Sequence, residues 1–120
     1  MRYLLDTHTF IWSMENSSKL KEETKTIVRD KSTVVLLSII SVWEIVIKVM
    51  LKKLQLDLPI TKFLKNLEFE ILPIKLDHVL ALLTLPPIHK DPFDRMLVAQ
   101  AKTEKLNLLT SDPKVQAYLD

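Results

Sequence analysis

The 120-residue chain contains no cysteine and no glycine. Without cysteine it has no disulfide framework, no thiol nucleophile and no thiolate-bound zinc. Without glycine the phosphate-cradling loops of nucleotide-binding folds are excluded, because a Cβ would block the close backbone approach they need. Positions requiring positive φ must then fall to other residues, and Asn16, Asn66 and Asn107 are the expected ones. No apolar run approaches the roughly 20 residues of a membrane span. Asp6 interrupts what would be the apolar part of a signal peptide. The expectation is a soluble, cytoplasmic protein with no membrane partner. Arginine is scarce too: of 17 basic residues 14 are lysine, and they are dispersed. A net charge of +2 permits nucleic-acid binding without demanding it.

What is present suits one globular domain over residues 1–120, with 48% apolar and 27% charged residues. Four short apolar runs read as strands, around Tyr3–Leu5, Thr33–Leu37, Phe69–Leu72 and Leu106–Thr110. Amphipathic stretches alternate with them, so the fold class is α/β with a mainly parallel sheet. Helices are expected from Thr9 to Met14, from Lys19 to Asp30, from Ser41 to Lys53, after Pro59, from Leu76 to Leu83, after Asp91 and after Asp112.

Acids recur at corresponding places. Asp6 directly follows the first strand, Glu44 opens the helix after the second, and Asp112 follows the fourth. Asp94 lies in the first turn of the helix that leads into the fourth strand. Each has an ordinary structural role available. Asp6 and Asp112 suit N-caps, the latter before Pro113, Ser41-x-x-Glu44 reads as a capping box, and Asp91-x-x-Asp94 resembles one. Parallel strands, however, bring their carboxyl ends to one edge, where ligands bind. Two carboxylates ~5 Å apart at an effective dielectric of ~20 repel by about 3 kcal/mol. Four together need a cation, and oxygen ligands without cysteine or paired histidine suit Mg²⁺ or Mn²⁺. Such an ion recruits phosphate oxygens and activates water, so phosphodiester hydrolysis is the chemistry expected.

The motifs Leu4-Leu5-Asp6-Thr7-His8, Ser38-x-x-Ser41-x-Trp43-Glu44-Ile45, His89-x-Asp91-Pro92-Phe93-Asp94-Arg95 and Leu108-Leu109-Thr110-x-Asp112 occur in that order across nearly the whole chain. In this the chain resembles a PIN-domain ribonuclease of the VapC toxin type. The resemblance implies a three-layer α/β/α sandwich with a four- or five-stranded sheet. It also implies an acidic pocket of Asp6, Glu44, Asp94 and Asp112, with Asp6 and Asp94 as direct metal ligands. The implied activity is Mg²⁺- or Mn²⁺-dependent cleavage of RNA, tRNA being one such substrate. The implied partners are a second copy of the chain and a small antitoxin protein. Relatives often carry glycine just before the last strand, where this chain has Lys105 or Asn107, so that turn is expected to be reshaped. They also often add a further strand, which leaves the sheet edge open.

Around these acids, Thr7 and Thr110 can hydrogen-bond carboxylates or metal-bound water, or cap backbone. Asp91 is expected to support Asp94 as an N-cap. Lys48 and Arg95 are candidate RNA phosphate contacts, with an i,i+4 pair to Glu44 the competing role for Lys48. His8 and His89 lack metal-pair spacing and are expected to hydrogen-bond, and His78 to lie on the surface of its helix. Trp12 and Trp43 read as core or interface residues. The apolar residues from Ile45 to Leu51 exceed one helix face, which suits a subunit or antitoxin interface. Two other functions compete: a catalytically silent RNA- or protein-binding module, and a Mg²⁺-dependent phosphoacceptor domain. The second would need a lysine where Ser111-Asp112-Pro113 stands.

Overall fold

The computed structural model describes residues 1–119. Strand β1 (Arg2–Leu5) leads into helix α1 (Thr7–Met14), followed by α2 (Glu22–Arg29), β2 (Val34–Ser38), α3 (Ile39–Met50) and α4 (Ile60–Lys65). Then come β3 (Glu70–Leu72), α5 (Leu76–Ala81) with a 3₁₀ turn at Leu82–Thr84, α6 (Pro92–Glu104), β4 (Asn107–Leu109) and α7 (Pro113–Gln116). The sheet is parallel throughout, in the order β3-β2-β1-β4. The architecture is the expected α/β/α sandwich with four strands among the described residues.

Alternation along the strands builds the two sides. Leu4 pairs with Leu36 and Leu108, and these three join Leu72, Met96, Leu97 and Val98 in one core. Their neighbours Leu5 and Leu37 face the other way, onto Phe10 of α1 and Ile45 of α3. Each fully buried leucine contributes about 1.5–3 kcal/mol, so a one-residue slip of register would expose both cores at once.

Two local expectations are corrected. The Ser41–Glu44 capping box is absent because the helix begins earlier: Ser38, the last residue of β2, caps α3 by accepting the Ile40 N–H at 3.0 Å. Ser41 is instead buried one turn inside. Positive φ occurs at Asn16, Lys52 and Lys105, and not at Asn66 or Asn107. Asn107 belongs to β4, while Asn66 ends α4 at φ −103°. Lys105 (φ 57°) ends α6 in the left-handed conformation, with the Leu106 N–H returned to the Ala101 carbonyl at 2.8 Å. The turn before the last strand is therefore kept without glycine.

Candidate metal centre

In-register parallel strands carry Asp6 and Asp112 to the same edge, because Leu5 pairs with Leu109. Glu44 stands in the second turn of α3, which leaves β2 at that edge. The long loop before α6 returns there as well. His89, Asp94 and Asp112 each offer one ligand atom, and these atoms lie within 4.8 Å of one another. Asp6 and Glu44 belong to no such group of three among the described residues.

Capping and clustering coexist. Asp6, 5% exposed, accepts the Thr9 N–H through Oδ1 at 2.8 Å, and its own N–H donates to the Leu109 carbonyl at 3.1 Å. Asp112 accepts the Lys114 N–H through Oδ1 at 2.9 Å, and its N–H donates to Thr110 Oγ1 at 3.1 Å. Each cap uses one carboxylate oxygen. Asp91 Oδ1 accepts the Asp94 N–H at 3.0 Å, which fixes Asp94 in the first turn of α6. Asp94 Oδ2 then stands 2.9 Å from His89 Nε2. Burial pushes the Asp94 carboxyl above its ordinary pKa; the His89 hydrogen bond pulls it down, and the negative charges of Asp91 and Glu44 raise it again. Glu44 is thus within electrostatic reach of Asp94.

Glu44 is itself 3% exposed and held from two sides. Thr7 Oγ1 donates to its Oε1 at 2.7 Å, and Lys48 Nζ bridges its Oε2 at 2.7 Å. Lys48 is therefore in the i,i+4 pair. Arg95, the other candidate for RNA phosphate, turns onto protein: Nη1 donates to the Pro86 carbonyl at 2.9 Å and to Tyr118 Oη at 3.0 Å. Its Nη2 reaches the Leu82 and Leu85 carbonyls. Tyr118 Oη also accepts the His89 N–H at 2.8 Å. Arg95 and Tyr118 together clasp the loop that delivers His89, a function that the sequence motif did not disclose.

The PIN domain profile matches residues 3–118. The chain belongs to the PIN domain family. No curated protein matches it. As a PIN fold it is similar to VapBC2 from Rickettsia felis, in a structure bound to a DNA fragment from their promoter. That match has 19% identity, 93% of this chain and 88% of that chain covered, and a TM-score of 0.70. It is similar to FitAcB from Neisseria gonorrhoeae, with 21% identity, 98% and 92% coverage and a TM-score of 0.68. A toxin–antitoxin complex from Klebsiella pneumoniae matches at 20% identity, 96% and 90% coverage and a TM-score of 0.65.

In this PIN domain the expectation for His78 is overturned. It is fully buried between α5 and α6, because its ring completes a polar network that apolar packing encloses. Nδ1 accepts the Lys75 N–H at 3.0 Å and lies 3.3 Å from Gln100 Nε2, while Nε2 faces Glu104 Oε2 at 3.2 Å. Gln100 continues the network to the Ser38 hydroxyl. Trp43 is 54% exposed and meets Phe93 edge-on, with ring centroids 5.5 Å apart. Met50 and Leu51 are exposed at the far end of α3. A cavity of about 610 Å³ opens at the amino-terminal edge of the sheet beside Lys25, Arg29, Lys31 and Phe69. It holds none of the candidate acids.

Proposed function

We propose that the chain is a divalent-metal-dependent endoribonuclease and the toxin of a toxin–antitoxin pair. The observation that carries this reading is the meeting of Asp94 and Asp112 at the carboxyl edge, with Glu44 close enough to raise the Asp94 pKa. Such a donor set fits Mg²⁺ or Mn²⁺: its oxygen donors are hard, and a cation would relieve the repulsion that burial intensifies. Asp94 and Asp112 would hold the ion, with Asp6 and Glu44 completing the negative field. When bound, the ion supplies Lewis-acid polarisation of a phosphate and an activated water. The chain's own residues orient these groups. Asp91 fixes the Asp94 backbone, Thr7 fixes Glu44, and Thr110 fixes the turn of Asp112. Lys48 tempers the negative charge of Glu44 in the absence of a metal.

The neighbour solved as a toxin–antitoxin complex supports an antitoxin as protein partner, and exposed Trp43, Met50 and Leu51 offer apolar surface for one. RNA is the proposed substrate, and a homodimer in the cytoplasm the proposed working state. The test is incubation of the purified chain with structured RNA and Mn²⁺ or Mg²⁺. Cleavage is expected with the ion and lost with chelator. Cleavage that persists in chelator would refute the reading.

A further inference from the structure

We infer that His89 is itself a ligand of the divalent ion, binding through Nε2 beside Asp94 and Asp112. This rests on the metal-dependent reading above and goes beyond its all-carboxylate site. Three observations carry it. First, His89 Nε2 and Asp94 Oδ2 are 2.9 Å apart. Adjacent ligands of an octahedral ion with bonds of about 2.1 Å are separated by about 3.0 Å. Second, the ring bonds through Nε2 alone among the described residues. Nδ1 has no partner there, so a ring proton can sit on Nδ1 and free Nε2, which otherwise donates to Asp94, for a metal. Third, the backbone that presents the ring is anchored. The His89 N–H donates to Tyr118 Oη at 2.8 Å, and Tyr118, 4% exposed, is held in turn by Arg95 at 3.0 Å.

His78 supplies the control. It too lies with two acids, Asp77 and Glu104, at ligand-like separations. Its Nδ1 accepts the Lys75 N–H, so the proton of the neutral ring must sit on Nε2, facing Glu104. That nitrogen cannot bind a metal without losing the proton. His78 has no second nitrogen free to take that proton, whereas among the described residues His89 Nδ1 has no partner.

A nitrogen donor among carboxylates shifts preference away from Mg²⁺ and toward Mn²⁺ and its softer neighbours. The experiment uses the full chain loaded with Mn²⁺, without RNA. Electron spin-echo modulation should reveal a directly bound ¹⁴N in the wild-type protein and none in His89→Gln or His89→Ala. Loss of an outer partner of a ligand already weakens metal binding about 10–100-fold. Calorimetry should therefore show Mn²⁺ affinity reduced at least about tenfold in both variants, with Mg²⁺ affinity changed less. Melting temperatures of the ion-free proteins separate this from unfolding, and the wild-type spectrum decides alone if neither variant folds. Mn²⁺ bound with no nitrogen coupling, or coupling that survives in the variants, overturns His89 as a ligand and leaves the nuclease reading standing. Absence of any Mn²⁺ binding overturns both.

Discussion

His78 lies with Asp77 and Glu104 between α5 and α6, and His89 lies with Asp94 and Asp112 at the carboxyl edge; in each trio the candidate ligand atoms approach within 4.8 Å. Composition does not distinguish them. Their hydrogen bonds do. Both ring nitrogens of His78 have protein partners, and the network runs through Gln100 to Ser38, the cap of α3. It satisfies every group it buries, which suits a structural tie between helices and the sheet. The His89 trio is half-finished by comparison. One ring nitrogen is unengaged, the cap made by Asp112 uses one of its oxygens, and burial and negative neighbours raise the Asp94 pKa. A polar cluster that the protein completes by itself holds a fold together, and one left incomplete is available to a ligand.

The largest expected difference between the two regions is in activity. Asp94→Asn should lower RNA cleavage by at least about 100-fold, given what even outer-shell losses do to metal sites. Glu104→Gln, its counterpart in the closed trio, should leave turnover per folded molecule unchanged. Cleavage rates on one structured RNA, normalised to the folded fraction, test both. Equal losses would erase the distinction.

Stability should show the reverse. His78→Leu removes the acceptor of the Lys75 N–H and the partner of Glu104 and of buried Gln100, leaving part-buried polar groups unmatched at about 1–3 kcal/mol. Urea unfolding should show a loss of about 3 kcal/mol, while Mn²⁺ affinity stays at the wild-type value. A reduced Mn²⁺ affinity would mean that the closed trio reaches the metal site.

How far each region could be read from sequence follows the same division. The strands were evident from apolar runs, and Asp6 and Asp112 from their places just past strand ends. Asp91-Pro92 marked the start of α6 through capping alone, and that is where it starts. The burial of His78 is not legible locally, because its partners lie 22 and 26 residues away on another helix. A signal was present: Gln100 interrupts the buried run from Met96 to Ala101, and a polar residue there needs a buried partner. The sequence pattern puts the cap of α3 at Ser41, and the strand register, which pairs Ser38 with Leu72, carries β2 on to Ser38 and moves the cap there. The meeting of Asp94 with Asp112 depended on the return of a loop whose clasp, Arg95 on Tyr118, spans 23 residues.

A smaller effect concerns pH. In the ion-free protein the raised Asp94 pKa means that the folded state holds this proton more tightly than the unfolded state does. Its contribution is present below the ordinary carboxylate range and disappears as pH rises through the raised value. Asp94→Asn should therefore match the wild type in acid and become the more stable of the two toward neutrality. Melting curves from about pH 4 to 7 measure the gap. Saturating Mn²⁺ should narrow it by stabilising only the wild type. A gap that does not change with pH would remove the electrostatic case for a cation at Asp94.

The smallest effect tests whether Glu44 belongs to the open cluster. Its carboxylate is 3% exposed and paired with Lys48 at 2.7 Å, but the Lys48 side chain is 36% exposed. Solvent screens part of that attraction, so Lys48→Met should cost only about 1 kcal/mol in the ion-free protein. Removing a positive charge near a cation site should also tighten Mn²⁺ binding, by about twofold to fivefold at low salt and less at high salt. The stability lost without the ion would then be partly regained with it. A different result follows if Lys48 leaves Glu44 to hold phosphate: the variant would bind RNA more weakly and Mn²⁺ no better. Unchanged Mn²⁺ affinity at low salt would put Glu44 outside the ion's field, and its hydrogen bond to Thr7 would then be a structural tie like that of His78.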